Sequence, residues 1–175
     1  AADVVADLSE DKQREVIALL DDPEHREDIE ELLTYAEGTA GALMAKELVI
    51  VRTDWTVARA IVEMRRQAKE VDHVYTIYVV DKDDRLSGIL PLKELLFSAE
   101  STRTLIEHIA RTDAVSVNTD TDVEEVVNRM KKYDVVVLPV VDGKGTLVGR
   151  ITFDVVMDVM SEEATEDYQL ASGIS

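Results

Sequence analysis

Two periods alternate along this chain. Between residues 9 and 36 the apolar positions recur at helical spacing: Val16, Ile17, Leu19 and Leu20, then Ile29, Leu32, Leu33 and Ala36. Each set is a stripe on one helix face. Ser9 ahead of Glu10 and Asp11 supplies an N-cap and an acidic first turn. Asp22-Pro23 starts a second helix, with Pro23 at its first position, and Gly38 marks its end. Beyond Gly38 the pattern changes to short apolar runs, Val74–Val80 and Val135–Val141. They are strand-sized and almost wholly apolar, which predicts strands buried on both faces. Helical stripes run from Val57 to Met64 and from Val123 to Met130, and a last one follows Gly149.

The strand and helix signals repeat. Val49-Ile50-Val51-Arg52-Thr53-Asp54 returns as Val115-Ser116-Val117-Asn118-Thr119-Asp120, 66 positions on. Ile77-Tyr78-Val79-Val80-Asp81 returns as Leu138-Pro139-Val140-Val141-Asp142, now 61 positions on. The first copy therefore carries the longer connection, around Gln67–His73. Leu86-Ser87-Gly88-Ile89 matches Leu147-Val148-Gly149-Arg150. Each copy predicts a short strand, helix, strand, tight turn, strand and helix, with the turns at 81–84 and 142–145. A unit of about 60 residues is marginal alone, whereas two can bury their sheets against each other. The expectation is an α+β fold: residues 1–37 as the tail of a helical domain, repeats at 38–101 and 102–160, and a further helix opening at 161–175.

Charge adds the candidate chemistry. The 175 residues carry a formal net charge of −18 and no cysteine. That excludes disulfides and thiolate metal sites, and it opposes nucleic acid or anionic membrane surfaces as direct partners. Three scattered histidines do not make a zinc site. No apolar run approaches the roughly 20 residues of a membrane helix, and no secretory leader is visible, so the expectation is a soluble, cytosolic piece. Six acids fall in 154–167, and no basic residue follows Arg150. Asp154, Asp158, Glu162 and Glu166 stand at four-residue steps, and Glu163 and Asp167 repeat the spacing one position on. On a helix these are columns of like charge, each pair opposing the helix by roughly 0.2–0.5 kcal/mol. A divalent cation would neutralise them; a solvated helix face is the ordinary alternative.

The repeated Thr-Asp-helix start, the (Ile/Leu)-x-Val-Val-Asp turn and the Leu-x-Gly strand resemble a tandem pair of CBS domains over roughly residues 44–161. The flanks narrow the likeness. Tyr35-Ala36-Glu37-Gly38-Thr39-Ala40-Gly41-Ala42-Leu43-Met44 precedes the first repeat. Lys132-Tyr133-Asp134 precedes the second apolar strand, and Glu163-Ala164-Thr165-Glu166-Asp167 follows the second repeat. Together they resemble the cytosolic region of the MgtE family of magnesium transporters.

The resemblance implies a regulatory role rather than an enzyme. It implies a parallel homodimer at the cytoplasmic face of the membrane, coupled to the protein's own transmembrane pore, and compacted by magnesium. It places Glu124, Asp134 and Asp158 at one magnesium site. It places Glu163, Glu166 and Asp167 where acids of the N domain would meet them across bound ions. Magnesium takes oxygen ligands and keeps several waters, so sparse carboxylates from different elements suffice. The family often has a second Asp after the position of Asp154; here Val155 stands there, which weakens any site that needs it.

Many CBS pairs also bind adenine nucleotides. Gly149-Arg150-Ile151-Thr152-Phe153-Asp154 resembles their Gly-x-x-Thr-x-Asp motif, which implies that Thr152 and Asp154 would hold the ribose. The first copy has Pro91 and Lys93 at those places, so at most one nucleotide per chain is expected, ATP by family analogy. Capping of the last helix by Thr152 and Asp154 is the alternative. The rival function is a free-standing adenine-nucleotide sensor that regulates a protein partner. Trp55 and the five methionines read as packing, and His25 and His108 as surface. No nucleophile and base can be paired from the serines, threonines and histidines.

Overall fold

The computed structural model describes residues 9–18, 23–69, 76–97 and 101–171, with the side chains of Ala18, His25 and 163–171 excepted. His73 and the middle of the longer first-copy connection lie outside the described residues. The chain divides into two compact units, one of residues 1–44, 117–138 and 151–175, the other of residues 45–116 and 139–150. The architecture is α+β, with two three-stranded sheets among the described residues.

The second unit is built on the first sheet. Strand β1 (Ile50–Arg52) lies parallel to β2 (Thr76–Val80), which pairs antiparallel with β3 (Leu86–Pro91). The parallel step requires a crossover, supplied by helix α4; in chain order the helices are α1 (Glu10–Ala18), α2 (Pro23–Leu32), α3 (Ala40–Leu43), α4 (Val57–Gln67), α5 (Leu92–Phe97), α6 (Val123–Tyr133) and α7 (Phe153–Ala171).

Helix α4 forms because its apolar residues keep a 3.6-residue period and because Thr56 caps it, its hydroxyl accepting from Arg59 N–H at 3.3 Å. Val57, Ala60 and Met64 are buried and pack with Val51, Ile77, Val79, Leu90, Leu95 and Ile106 into the main core of this unit. The opposite face of the sheet carries a second cluster, Tyr78, Val80 and Leu147 with Leu48, Ile50, Leu86 and Ile89. The prediction of a middle strand buried on both faces therefore holds for β2. Edge strand β1 is covered by a side chain: the Gln67 amide accepts from Ile50 N–H at 2.8 Å and donates to Ile50 C=O at 2.9 Å. This imitates a neighbouring strand and blunts the edge.

Both predicted turns form the same way. Asp81 Oδ1 accepts from the N–H groups of Asp83 and Arg85, and Asp142 Oδ1 accepts from those of Lys144 and Thr146. Asp84 at φ 60 and Gly145 at φ 84 supply the left-handed step.

The second copy gives the sheet β4 (Val117–Asn118), β5 (Val137–Val141) and β6 (Leu147–Thr152), in that order. In the first unit α1 and α2 pack through Ile17 and Ile29, with Val16 and Leu33 beside them. Helix α2 stops at Leu32, short of the predicted Ala36. The backbone tightens there, with Thr34 N–H bonded to Glu31 C=O and Tyr35 N–H to Leu32 C=O. Gly38 still takes a positive φ of 74°, but in the connection that follows.

Candidate functional site

Helix α6 is amphipathic. Val123, Val126, Val127 and Met130 are buried at the spacing of one helix face. Acids Glu124 and Glu125 occupy its first turn and Lys131 and Lys132 its last, each favourable to the helix dipole. Glu125 is held by Arg129, one turn on, at 3.1 Å. Glu124 is exposed.

Asp134 ends this helix in the left-handed region, at φ 53 and ψ 51. Its N–H bonds to Met130 C=O, and the next N–H, of Val135, reaches the same carbonyl at 3.0 Å. Glycine is the usual residue for such a cap, and aspartate is one of the few others that tolerate it. The reversal leaves the Asp134 carboxylate exposed. Two residues on, Val136 C=O accepts from Phe153 N–H at 2.8 Å, which fixes the start of α7 close to this turn.

Helix α7 packs against α6. Val156 is fully buried, and Met157 and Met160 are partly buried. Asp154, Asp158 and Glu162 are exposed and follow one another at four-residue steps, so the predicted carboxylate column stands on the outer side. The helix continues past Glu163, Glu166 and Asp167 to Ala171, and those three side chains lie outside the described ones. Within the described residues Glu124, Asp134 and Asp158 have no ion-pair partner. Nor do three acidic or imidazole side chains gather closely enough among the described residues to hold a metal ion.

The nucleotide-motif residues fall on a strand-to-helix junction. Gly149 is buried in β6, whose next residue, Arg150, exchanges backbone bonds with Ala45 at 2.9 and 2.7 Å. Thr152 is the last residue of β6, and Asp154 lies in the first turn of α7. Two residues here had no role in the sequence reading. Arg150 buries its Nε without an acceptor among the described residues. Tyr78 is 3% exposed, and burial pushes its phenol up to about 12, against a smaller lowering by the Arg150 guanidinium. Nothing local in the sequence signals that pairing.

Trp55 packs beside the main core of its unit with the Arg59 guanidinium 4.5 Å over its ring. His108 is exposed in a short turn, Ile106–His108. Among the described residues no helix is long and apolar enough to cross a membrane.

The sequence pattern of the CBS domain matches residues 40–100 and 106–162. The magnesium transporter MgtE of Thermus thermophilus is 46% identical over 146 residues, which are 83% of this chain and 32% of that protein. The chain spans about a third of the length of the curated relatives it matches. A crystal structure of the soluble part of a magnesium transporter superposes with a TM-score of 0.83 at 32% identity, covering 93% of this chain and 62% of the other. A crystal structure of the cytosolic domain of the Mg2+ channel MgtE in complex with ATP superposes with a TM-score of 0.74 at 37% identity, covering 91% and 79%. The chain thus belongs to the CBS-domain family, as a tandem pair homologous to the cytosolic region of the MgtE magnesium transporters.

Proposed function

We propose that this chain is the magnesium-sensing regulatory region of a divalent-cation transporter, acting as a homodimer at the cytoplasmic face of the membrane. One observation carries the reading: Glu124 in the first turn of α6, Asp134 capping the far end of α6, and Asp158 on α7, which packs against α6, are exposed carboxylates without ion-pair partners among the described residues. In a chain of net charge −18 such acids repel one another and any second copy. Magnesium needs only one or two carboxylates when waters fill its other positions. The three side chains do not form a closed set by themselves, which suits an ion whose shell is completed by water, by Glu163, Glu166 and Asp167, or by a second protomer. Binding then lowers the repulsion and favours the compact dimer, because only the compact state brings the acids together. The pore would feel the change through α7. Repeat boundaries at 38–101 and 102–160 suit this reading.

Exposed apolar side chains support the dimer. Val62 is 65% and Phe97 78% exposed, both on helices of the second unit, and a monomer gains nothing from leaving them in water. Sedimentation velocity gives the test: a single monomeric species with and without magnesium removes the dimer.

The sensing claim is tested by calorimetric titration with magnesium chloride. A saturable signal is expected for the native chain and its loss in an Asp134→Ala, Asp158→Ala double variant. An undiminished signal in the variant refutes the site.

A second reading is favoured by the ATP-bound relative and by the junction of Gly149, Thr152 and Asp154. ATP would bind there through hydroxyl and carboxylate contacts to the ribose, making the chain a nucleotide sensor alone or in addition. Titration with ATP that gives no saturable heat eliminates it. A response to ATP without any to magnesium makes it the primary function.

A further inference from the structure

The connection between the two copies borders a cleft of about 170 Å³. Thr112, Ala114 and Ser116, alternate residues of the run into β4, line one wall. Ser87 and Gly88 of β3 and Gly145 of the second turn line the others, and all belong to the second unit. The repeat has a counterpart to this space, and it is filled. Ala114 and Ser116 correspond to Leu48 and Ile50, 66 positions earlier. Leu48 and Ile50 pack with Val80 and Leu147, which correspond at 61 positions to Val141 and Leu86 of the cleft. Large apolar side chains are the ordinary way to close such a gap. Small residues leave it open here.

Arg111 fastens the wall formed by the connection. Its N–H donates to Ile89 C=O and its C=O accepts from Ile89 N–H, both at 2.9 Å. Gly88 leaves room for this approach, since an added Cβ there would lie 2.5 Å from the Arg111 carbonyl oxygen. The guanidinium closes on Glu94, in the first turn of α5, with Nε donating to Oε2 at 3.2 Å and Nη2 to Oε1. Such two-pronged contact is the strong form of an arginine–carboxylate pair. The filled counterpart lacks this fastening. Ala45 makes the same two backbone bonds, with Arg150, and Val155 stands at the place of Glu94.

The cleft is smaller than the roughly 300–1,000 Å³ of ligand pockets, so admitting a ligand of that size means moving a wall. Strand β3 is paired along β2. The second turn is bonded to the first, Leu86 N–H to Gly145 C=O and Leu147 N–H to Asp84 C=O, each at 3.1 Å. The connection is the wall that can yield. We infer that residues 112–116 are a lid on this cleft and that Arg111, through Glu94, is the latch that sets its width. The latch stands on these contacts and on neither of the two functional readings.

Two measurements on the whole chain test it. In native-state hydrogen exchange the amides of residues 89 and 111 report the latch. The Tyr78 amide, bonded to Val49 C=O at 3.0 Å in the same sheet, is the control. Arg111→Ala and Glu94→Gln should each speed exchange at 89 and 111 about threefold, the scale of one partly exposed ion pair, and leave Tyr78 unchanged. Glu94→Arg combined with Arg111→Glu should restore protection; failure to restore it assigns the effect to side-chain bulk and overturns the latch. Exchange that ignores Arg111→Ala, or that accelerates equally at Tyr78, overturns it too. The chain has no cysteine, so Ser87→Cys places one thiol on the cleft wall. Its reaction rates with iodoacetamide and with a fluorescein maleimide compare a small probe with a bulky one. Arg111→Ala should raise the bulky rate relative to the small one, and Arg111→Lys should raise it less. An unchanged ratio overturns the lid. Should Ser87→Cys fail to fold, hydrogen exchange alone decides.

Discussion

At the scale of single residues, Asp134 is held where side chains are disfavoured. A left-handed backbone costs an ordinary residue roughly 1–2 kcal/mol, and glycine is free of that cost. Asp134→Gly should therefore raise stability without magnesium, by about 1 kcal/mol. The same variant should lose magnesium-dependent stabilisation, because the carboxylate is gone. Chemical denaturation with and without the ion reads both effects, and a fall in stability without magnesium would show that the carboxylate has a structural role. Tyr78 makes a second prediction. Its phenol is raised from 10.0 to about 12 by burial, so the neutral form is favoured in the folded protein. That contribution is complete below pH 10 and is lost as pH rises from 10 towards 12. Two pKa units correspond to roughly 2–3 kcal/mol. Alkaline unfolding of Tyr78→Phe should be shifted to higher pH than that of the native chain, and superimposable curves would show that burial of Tyr78 does not govern it. Neither feature was legible beforehand: the order of residues near 134 does not announce a left-handed cap, and the approach of Arg150 to Tyr78 depends on pairing across 72 positions.

At the scale of elements, the sequence was informative wherever the signal is local. The apolar period placed α4 and α6, the near-continuous apolar runs placed β2 and β5, and the aspartates placed both turns. Those turns yield a prediction. Asp142 accepts from two N–H groups at 2.8 and 3.0 Å, so Asp142→Ala should destabilise by about 1 kcal/mol, whereas Lys144→Ala in the same turn should be nearly neutral. Equal effects in thermal melts would mean that the side-chain bonds do not organise the turn. Signals that act at a distance were not legible. The Gln67 amide on Ile50 reads as an ordinary polar helix residue until the fold is known. Gly41 reads as a turn glycine, whereas steric contact with Tyr35 and Thr119 is what demands it. Helix α2 was expected to reach Ala36, since Ala36 keeps the period, but the bonds of Thr34 and Tyr35 tighten the chain at Leu32 first.

At the scale of the whole molecule, the internal repeat carried the fold, because two copies of one strand-helix-strand pattern leave few ways to bury their apolar strands. The repeat did not reveal that residues 39–41 pair with residues 119–122, since long-range backbone pairing leaves no periodic trace. The candidate cation site was legible only in part. Charge spacing drew attention to Asp154, Asp158 and Glu162, and these do form an exposed column. Spacing alone could not distinguish a binding face from a solvated one. Glu124 and Asp134 came from family likeness, and the structure adds that their helix packs against the one bearing Asp158.

Specific magnesium sensing can be read from thermal melting across millimolar magnesium chloride against sodium chloride of equal ionic strength. A ligand that binds only the folded state stabilises it by about 2.7 kcal/mol at a hundredfold excess over Kd, whereas screening acts alike in both salts. The melting temperature should rise with magnesium alone, with no such rise once Asp134 and Asp158 are both alanine. Identical melting curves in the two salts would contradict it.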